Sequence, residues 1–134
     1  MLFLAWGVTG CSGTGPTWVD EGTVYTTASV ARLLDTADIS RVADQPTTTA
    51  TELRHKALSS LRKQGDSASA VANMLTSTFE PDTRGVPVYV EKASLDGTSV
   101  VVVVEATGPK SGKLTLKRLW VLAEDGSVIL ARSR

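Results

Sequence analysis

The sequence predicts an α+β domain in which a helical hairpin packs on a four-stranded antiparallel meander. Between Thr49 and Phe79, apolar residues recur at the spacing of two amphipathic helices. From Val86 to the end of the chain, short β-branched runs alternate with turn residues. Because the strands follow the helices instead of alternating with them, the order indicates an α+β layout and not parallel βαβ units.

The first helix is predicted to begin at Thr49 and to end near Gln64. Thr49 and Glu52 have the spacing of a capping box, and Gly65 is suited to the turn that follows. A second helix then begins, with Asp66 or Ser67 as its cap. One face of each helix is apolar, which predicts that both pack against a common surface; the residues are Leu53, Ala57, Leu58, Leu61, Ala68, Val71, Ala72, Leu75 and Phe79.

Four strands are predicted at residues 86–93, 99–107, 113–123 and 128–132. Asp-Gly pairs at 96–97 and 125–126 predict tight hairpin turns. Before the helices, residues 18–27 favour an extended segment and residues 29–35 a short helix. In general layout this order resembles cystatin-like and nuclear-transport-factor-2-like folds, a resemblance that implies a two-layer helix-on-sheet architecture and no particular activity.

Five consecutive valines, at positions 100–104, form the most informative part of the predicted sheet. A half-exposed strand alternates apolar and polar residues, so this run predicts a central strand that is covered on both faces. The helices cover one face. The second cover is the segment from Trp18 to Tyr25, a bound apolar ligand or another subunit.

An apolar run at residues 2–6 leads into Val8, Thr9, Gly10 and Cys11. These four residues resemble a bacterial lipobox, in which the cysteine thiol receives a lipid. The resemblance implies that residues 1–10 are the remnant of a signal peptide, whose true start we expect upstream, and that Cys11 is the lipid anchor. The Ser, Gly, Thr and Pro composition that follows predicts that residues 11–17 form the anchor and a flexible tether, and length and composition predict one domain at residues 18–134. The alternative is a short N-terminal strand with an ordinary buried cysteine. The composition resembles that of actinobacterial proteins.

The apolar run at residues 2–6 is too short to span a bilayer, which takes about 20 apolar residues. We therefore expect an extracytoplasmic protein that is attached to the cell membrane through lipid on Cys11. The 14 basic and 14 acidic residues give a net charge of zero, which argues against nucleic acid as a partner. One histidine and one methionine after Cys11 are too few ligands for a transition-metal site, and we predict no cofactor.

The candidate catalytic residues are His55 and Glu105. His55 lies about 200° around the helix from Leu53, which predicts a solvated side chain beside the charged residues Arg54, Lys56 and Arg62. Glu105 ends the valine run, and burial there would make it a candidate acid. Because the chain has no second histidine to support a nucleophile, an enzyme is the least favoured class.

Three functions follow, in decreasing order of support. The first is a non-enzymatic envelope protein that binds a partner protein or forms a homodimer; the second is a carrier or sensor of a small apolar ligand; the third is an enzyme that uses Glu105 or His55. The candidate ligand or partner surface comprises Tyr89, Val101, Val103, Glu105, Lys117, Leu119 and Trp120.

Overall fold

The computed structural model describes residues 15–79 and 84–133. The helices and strands, in chain order, are β1 (Thr17–Val19), β2 (Val24–Tyr25), α1 (Thr27–Ala31), α2 (Leu33–Thr36), α3 (Ala50–Arg62), α4 (Asp66–Thr78), β3 (Val86–Leu95), β4 (Thr98–Thr107), β5 (Leu116–Ala123) and β6 (Val128–Ser133). A 3₁₀ turn, Thr47–Thr49, precedes α3. The α+β class is therefore confirmed.

The strands form one mixed sheet of six strands in the order β1-β3-β4-β5-β6, with β2 also paired to β3. From β3 to β6 each strand pairs antiparallel with the next one in the chain. Strands β1 and β2 both run parallel to β3 and lie along its outer edge. The sheet is thus wider than the four strands expected, because the segment before the helices contributes two short strands.

Left-handed backbone conformations at the hairpin turns explain the two Asp-Gly pairs. Asp96 and Gly97 have φ angles of 50° and 85°, and Gly126 has a φ of 89°. Positive φ at both Asp96 and Gly97 matches the twist of a two-residue hairpin. In the second connection, at residues 124–127, only the glycine of the Asp-Gly pair has a positive φ. At the second turn, the Asp125 carboxylate accepts hydrogen bonds from the backbone and hydroxyl of Ser127 at 2.9 and 2.7 Å.

Helices α3 and α4 form the expected hairpin, and Thr49 is the N-cap residue of α3 as predicted. The side-chain hydrogen bonds of the predicted caps are absent from both helix starts. The Thr49 hydroxyl donates to the Pro46 carbonyl at 2.7 Å, and Glu52 instead forms an exposed ion pair with Lys56 at 3.5 Å. Gly65 occupies the N-cap position of α4, with a φ of 125° and no side-chain cap. The 3₁₀ turn redirects the Thr49 side chain, so the capping-box prediction is wrong.

The hairpin and one face of the sheet form one of two hydrophobic clusters. Val101 and Val103 of β4 point toward α3 and α4, where they pack with the buried side chains of both helices, including Leu58, Leu61 and Leu75. Trp18, on β1, packs at the border of this cluster. This face of the valine run is therefore covered by the helical hairpin, as the sequence predicts.

The opposite face of β4 is covered by the chain that precedes α3. Val100, Val102 and Val104 belong to a second buried cluster with Val30 of α1 and Leu34 of α2. A cover on both faces is therefore confirmed. The segment from Trp18 to Tyr25 is not that cover, because it lies at the sheet edge as β1 and β2; the covering residues come from further along the chain.

The chain is already packed against the domain at Gly15. The Gly15 carbonyl accepts a hydrogen bond from Arg41 Nη1 at 2.5 Å, and the Pro16 carbonyl accepts one from Gln64 Nε2 at 3.2 Å. The packed region thus begins before the predicted boundary at Trp18. Cys11 and the rest of the lipobox-like segment lie outside the described residues.

Candidate functional site

The residues of the predicted surface divide between the two faces of the sheet. In the β4–β5 register, Val103 pairs with Trp120 and Val104 with Leu119, so these pairs lie on opposite faces. Four of the seven predicted residues are buried, with at most 4% of their surface exposed: Val101, Val103, Glu105 and Leu119. The others, Tyr89, Lys117 and Trp120, are half-buried. The seven residues therefore do not form one exposed surface.

Glu105 is the centre of a buried polar network on the hairpin side of the sheet. Its side chain is 2% exposed, and its Oε2 atom lies 2.5 Å from Nη1 of Arg54 on α3. Its Oε1 atom accepts a hydrogen bond from Trp120 Nε1 at 2.8 Å. Arg54 Nη1 also donates to the Gly85 carbonyl at 2.8 Å. The carboxylate therefore has a cationic partner, which offsets the cost of removing its charge from water.

Aromatic rings surround the Arg54–Glu105 pair. The Arg54 guanidinium lies 5.1 Å from the centroid of the Phe79 ring, and the Phe79 and Trp120 centroids are 5.2 Å apart. On the β5 strand, Arg118 lies 5.7 Å from the Trp120 ring. Both cations are within the range of cation–π attraction. The rings limit the access of water to the ion pair and hold Trp120 in position to donate to Glu105.

Sequence reasoning placed Arg54 with the solvated charges of α3, and this placement is wrong. The Arg54 side chain is 6% exposed. The signal was available, since positions 54, 58 and 61 have the i, i+4, i+7 spacing of one helical face, and Leu58 and Leu61 are both buried. His55 is exposed, as predicted.

A second buried carboxyl group, Glu91, lies on the opposite face of the sheet and was not predicted. Glu91 pairs with Val102 in the register, and only 1% of its surface is exposed. Its Oε1 atom accepts hydrogen bonds from the hydroxyls of Tyr25 at 2.5 Å and Tyr89 at 2.8 Å. Burial, the hydrogen bond to Glu91 and its negative charge raise the pKa of Tyr25 to about 12, and the same causes raise the pKa of Tyr89. The three side chains join β2 to β3.

The β6 edge, which we define as the solvent side of Val128–Ser133, is the most exposed part of the sheet. Strand β6 is last in the strand order. Val128 and Ile129 are 49% and 46% exposed, and Leu116 on the adjoining strand is 46% exposed. The acidic Glu124 and Asp125 precede β6 and the basic Arg132 lies near its end, all three exposed. The strand therefore begins with two exposed apolar residues beside an acidic turn and has a basic residue near its end.

Comparison of the chain with protein-family models, curated proteins and solved structures finds no match. The cystatin-like or nuclear-transport-factor-2-like layout thus stays a prediction. Within residues 15–79 and 84–133, no three His, Cys, Asp or Glu side chains come together as metal ligands. Over the same residues, each helix is too short or too polar to cross a membrane.

Proposed function

We propose that this chain is a non-enzymatic interaction module of the bacterial cell envelope, which forms a homodimer through the β6 edge. The membrane attachment rests on the lipobox-like residues that end in Cys11. The self-association rests on the β6 edge, an exposed apolar strand in a sheet whose faces are otherwise covered by the chain itself.

The observation that carries the proposal is the contrast between the two edges of the sheet. Strands β1 and β2 are only three and two residues long, and short interrupted strands are a poor template for a further strand. Strand β6 has six residues, no proline and two exposed apolar side chains near its start. An edge of this kind presents a row of backbone donors and acceptors, and natural proteins usually protect it unless a partner strand uses it.

The charge distribution along β6 favours a second copy of the chain as the partner. In an antiparallel pair of β6 strands related by a twofold axis, the end of each strand lies beside the start of the other. The basic Arg132 of each copy then approaches the acidic turn of its partner, which contains Glu124 and Asp125. A parallel arrangement would instead place like charges together. When the two strands overlap fully, Val128 and Ile129 of each copy lie beside Ser133 and Arg132 of the other, which cover part of both apolar side chains.

The surroundings of the candidate catalytic residues support a non-enzymatic role. The Glu105 carboxylate is bonded through both oxygens to Arg54 and Trp120, so it has little capacity left for a substrate. His55 is exposed on α3, and the chain has no second histidine to support it in catalysis. Packing of the valine run against the chain's own helices also disfavours a ligand carrier, because the apolar surface that predicted a ligand is already covered.

Sedimentation velocity over a concentration series tests the dimer. We would use the full chain with Cys11→Ser, which removes lipid attachment, and expect a concentration-dependent dimer. Ile129→Lys should shift the protein to monomer, because a lysine on the edge opposes strand addition. Val24→Lys is the matched control, since Val24 is 74% exposed on the other edge. A monomer at every concentration, or a dimer that both lysine variants weaken equally, would refute the proposal.

A charge exchange tests the antiparallel orientation. Arg132→Glu and Glu124→Lys should each weaken self-association, because each places like charges together at both ends of the interface. An equimolar mixture of the two variants should form a heterodimer, in which positions 132 and 124 again carry opposite charges at both ends. Failure of the mixture to associate, with each variant folded, would exclude this orientation.

Metabolic labelling with an alkyne fatty acid tests the envelope part of the proposal. The chain should acquire the label and sediment with membranes, whereas Cys11→Ser should lose both properties. An unlabelled parent chain would rule out lipid attachment while leaving the dimer prediction intact.

A further inference from the structure

Arg54 contains a buried hydrogen-bond donor that the ion pair does not use. Nη1 makes both of the bonds to Glu105 and Gly85. Nη2 is buried and has no hydrogen-bond partner among residues 15–79 and 84–133. A buried donor on a charged group loses its hydration without compensation when it has no acceptor. Most such groups in proteins are bonded, so this atom needs an explanation.

Arg54 lines a cavity of about 70 Å³ between α3 and α4. Leu58, Leu75 and Phe79 form its apolar wall. Its other lining residues in the described part of the chain are Arg54, His55, Arg62 and Thr76, a set that includes two guanidinium groups and no carboxylate. The volume exceeds the roughly 15 Å³ that a single water needs, so the cavity has room for a small polyatomic ion.

Arg62 is held at this cavity by bonds to α4. Its Nε atom donates to Asn73 Oδ1 at 3.1 Å and its Nη2 atom to Thr76 Oγ1 at 2.8 Å. These two bonds use two of the three guanidinium nitrogens and fix the side chain before any ligand arrives. A preorganised arginine loses less conformational entropy on binding than a free surface arginine.

We propose that this cavity binds a small oxyanion, a carboxylate or phosphate group, between Arg54 and Arg62. The anion supplies an acceptor for Arg54 Nη2 and balances the charge of Arg62, while Glu105 continues to neutralise Arg54. Guanidinium groups suit such anions because their planar donors match the spacing of the oxygens. The small volume limits the ligand to one anionic group, either as a free ion or as the terminal group of a larger molecule. This site is independent of the β6 edge.

Isothermal titration of the full Cys11→Ser chain with sodium acetate and sodium phosphate, at constant ionic strength against sodium chloride, tests the site. We expect saturable binding of at least one oxyanion and none of chloride. Arg62→Gln should weaken binding about tenfold or more, as expected for loss of a charge-assisted bond. Lys63→Gln is the matched control, because Lys63 is exposed on the next residue and does not line the cavity. Equal effects of the two variants, or heats no different from chloride, would overturn the proposal.

Two further measurements identify the site and the source of the anion. In NMR spectra, the side-chain NεH signals of Arg54 and Arg62 should shift on titration, whereas unchanged signals would place any binding elsewhere and overturn the proposal. A Glu80→Gln, Asp82→Asn double variant removes the two carboxylates that follow Phe79 in the sequence. Unchanged affinity supports an external ligand, and binding that appears only in the double variant overturns it. Phosphorylated or carboxylated larger molecules can then be compared with the free ions.

Discussion

Separate and combined substitutions at Arg54 and Glu105 should give strongly non-additive losses of stability. Arg54→Met leaves the 2% exposed Glu105 side chain without its cation, and Glu105→Gln leaves the 6% exposed Arg54 side chain without its anion. Breaking a buried ion pair from one side costs about 3–5 kcal/mol. Because a domain of this size has about 5–15 kcal/mol of total stability, each single variant should lose a large share of it.

The double variant Arg54→Met, Glu105→Gln should be more stable than either single variant. It contains no unpaired charge, and the glutamine oxygen can still accept the Trp120 hydrogen bond, which the wild-type Oε1 accepts at 2.8 Å. We expect a loss of about 1–2 kcal/mol, mainly from the Gly85 carbonyl that Arg54 no longer satisfies. The coupling free energy between the two positions should therefore exceed about 3 kcal/mol.

Urea unfolding measures these differences. Tryptophan fluorescence should follow the transition, because Trp120 contacts the network directly. Equal m-values across the four proteins are required for a clean comparison. Additive losses, with the double variant as unstable as the sum of the single variants, would refute the view that the ion pair acts as a unit.

Two other predictions concern the tyrosine cluster and the close approach at Gly85. The chain has two tyrosines, Tyr25 and Tyr89, so phenolate absorbance of the folded protein reports this cluster alone. Ionisation should begin well above pH 10, with a pKa of about 12 for Tyr25. Glu91→Gln should lower both tyrosine pKa values toward 10. Since the pKa of Tyr25 is higher in the folded than in the unfolded state, the protonated Tyr25 hydroxyl contributes its full stabilisation below pH 10, and this contribution is lost between about pH 10 and 12. Ionisation of the native tyrosines at pH 10 would contradict this prediction. Gly85→Ala should destabilise the protein, because the added Cβ would overlap the Glu105 carboxylate; an unchanged urea midpoint would show that the carboxylate moves aside at no cost.

The sequence predicted elements whose signals are local and missed contacts between distant residues. Hydrophobic periodicity located both helices of the hairpin, and the Asp-Gly pairs located the turns at Gly97 and Gly126. By contrast, Arg54 and Glu105 are separated by 51 positions, and only the docking of α3 on the sheet brings them together. A charged residue on an apolar helical face has no local feature that identifies its partner, so the spacing of Arg54 indicates burial but does not point to Glu105.

For the valine run, too, burial of the strand follows from the local sequence, whereas the identity of the covering segment does not. Five apolar residues in a row require two covers, and that conclusion follows from the strand itself. The identity of the second cover depends on which part of the chain before α3 packs against the sheet, and that part has little hydrophobic periodicity. Val30 and Leu34, which form the cover, lie in helices of only five and four residues. Such short helices have little intrinsic signal, because their stability comes from the surface on which they pack. For the candidate site, the individual residues Glu105 and Trp120 were predicted, but not their network.

The parallel pairing of β1 and β2 with β3 constrains the order in which the chain can fold. Thr17 pairs with Tyr89 and Tyr25 with Leu95, so the first ordered residues have no partners until a much later part of the chain is available. The helical hairpin and the β3–β4 hairpin involve near neighbours and can form early, whereas closing long loops is slow. The N-terminal segment should therefore dock last. For a chain that emerges N-terminus first, residues 17–25 would then stay without their strand partner until β3 has been synthesised.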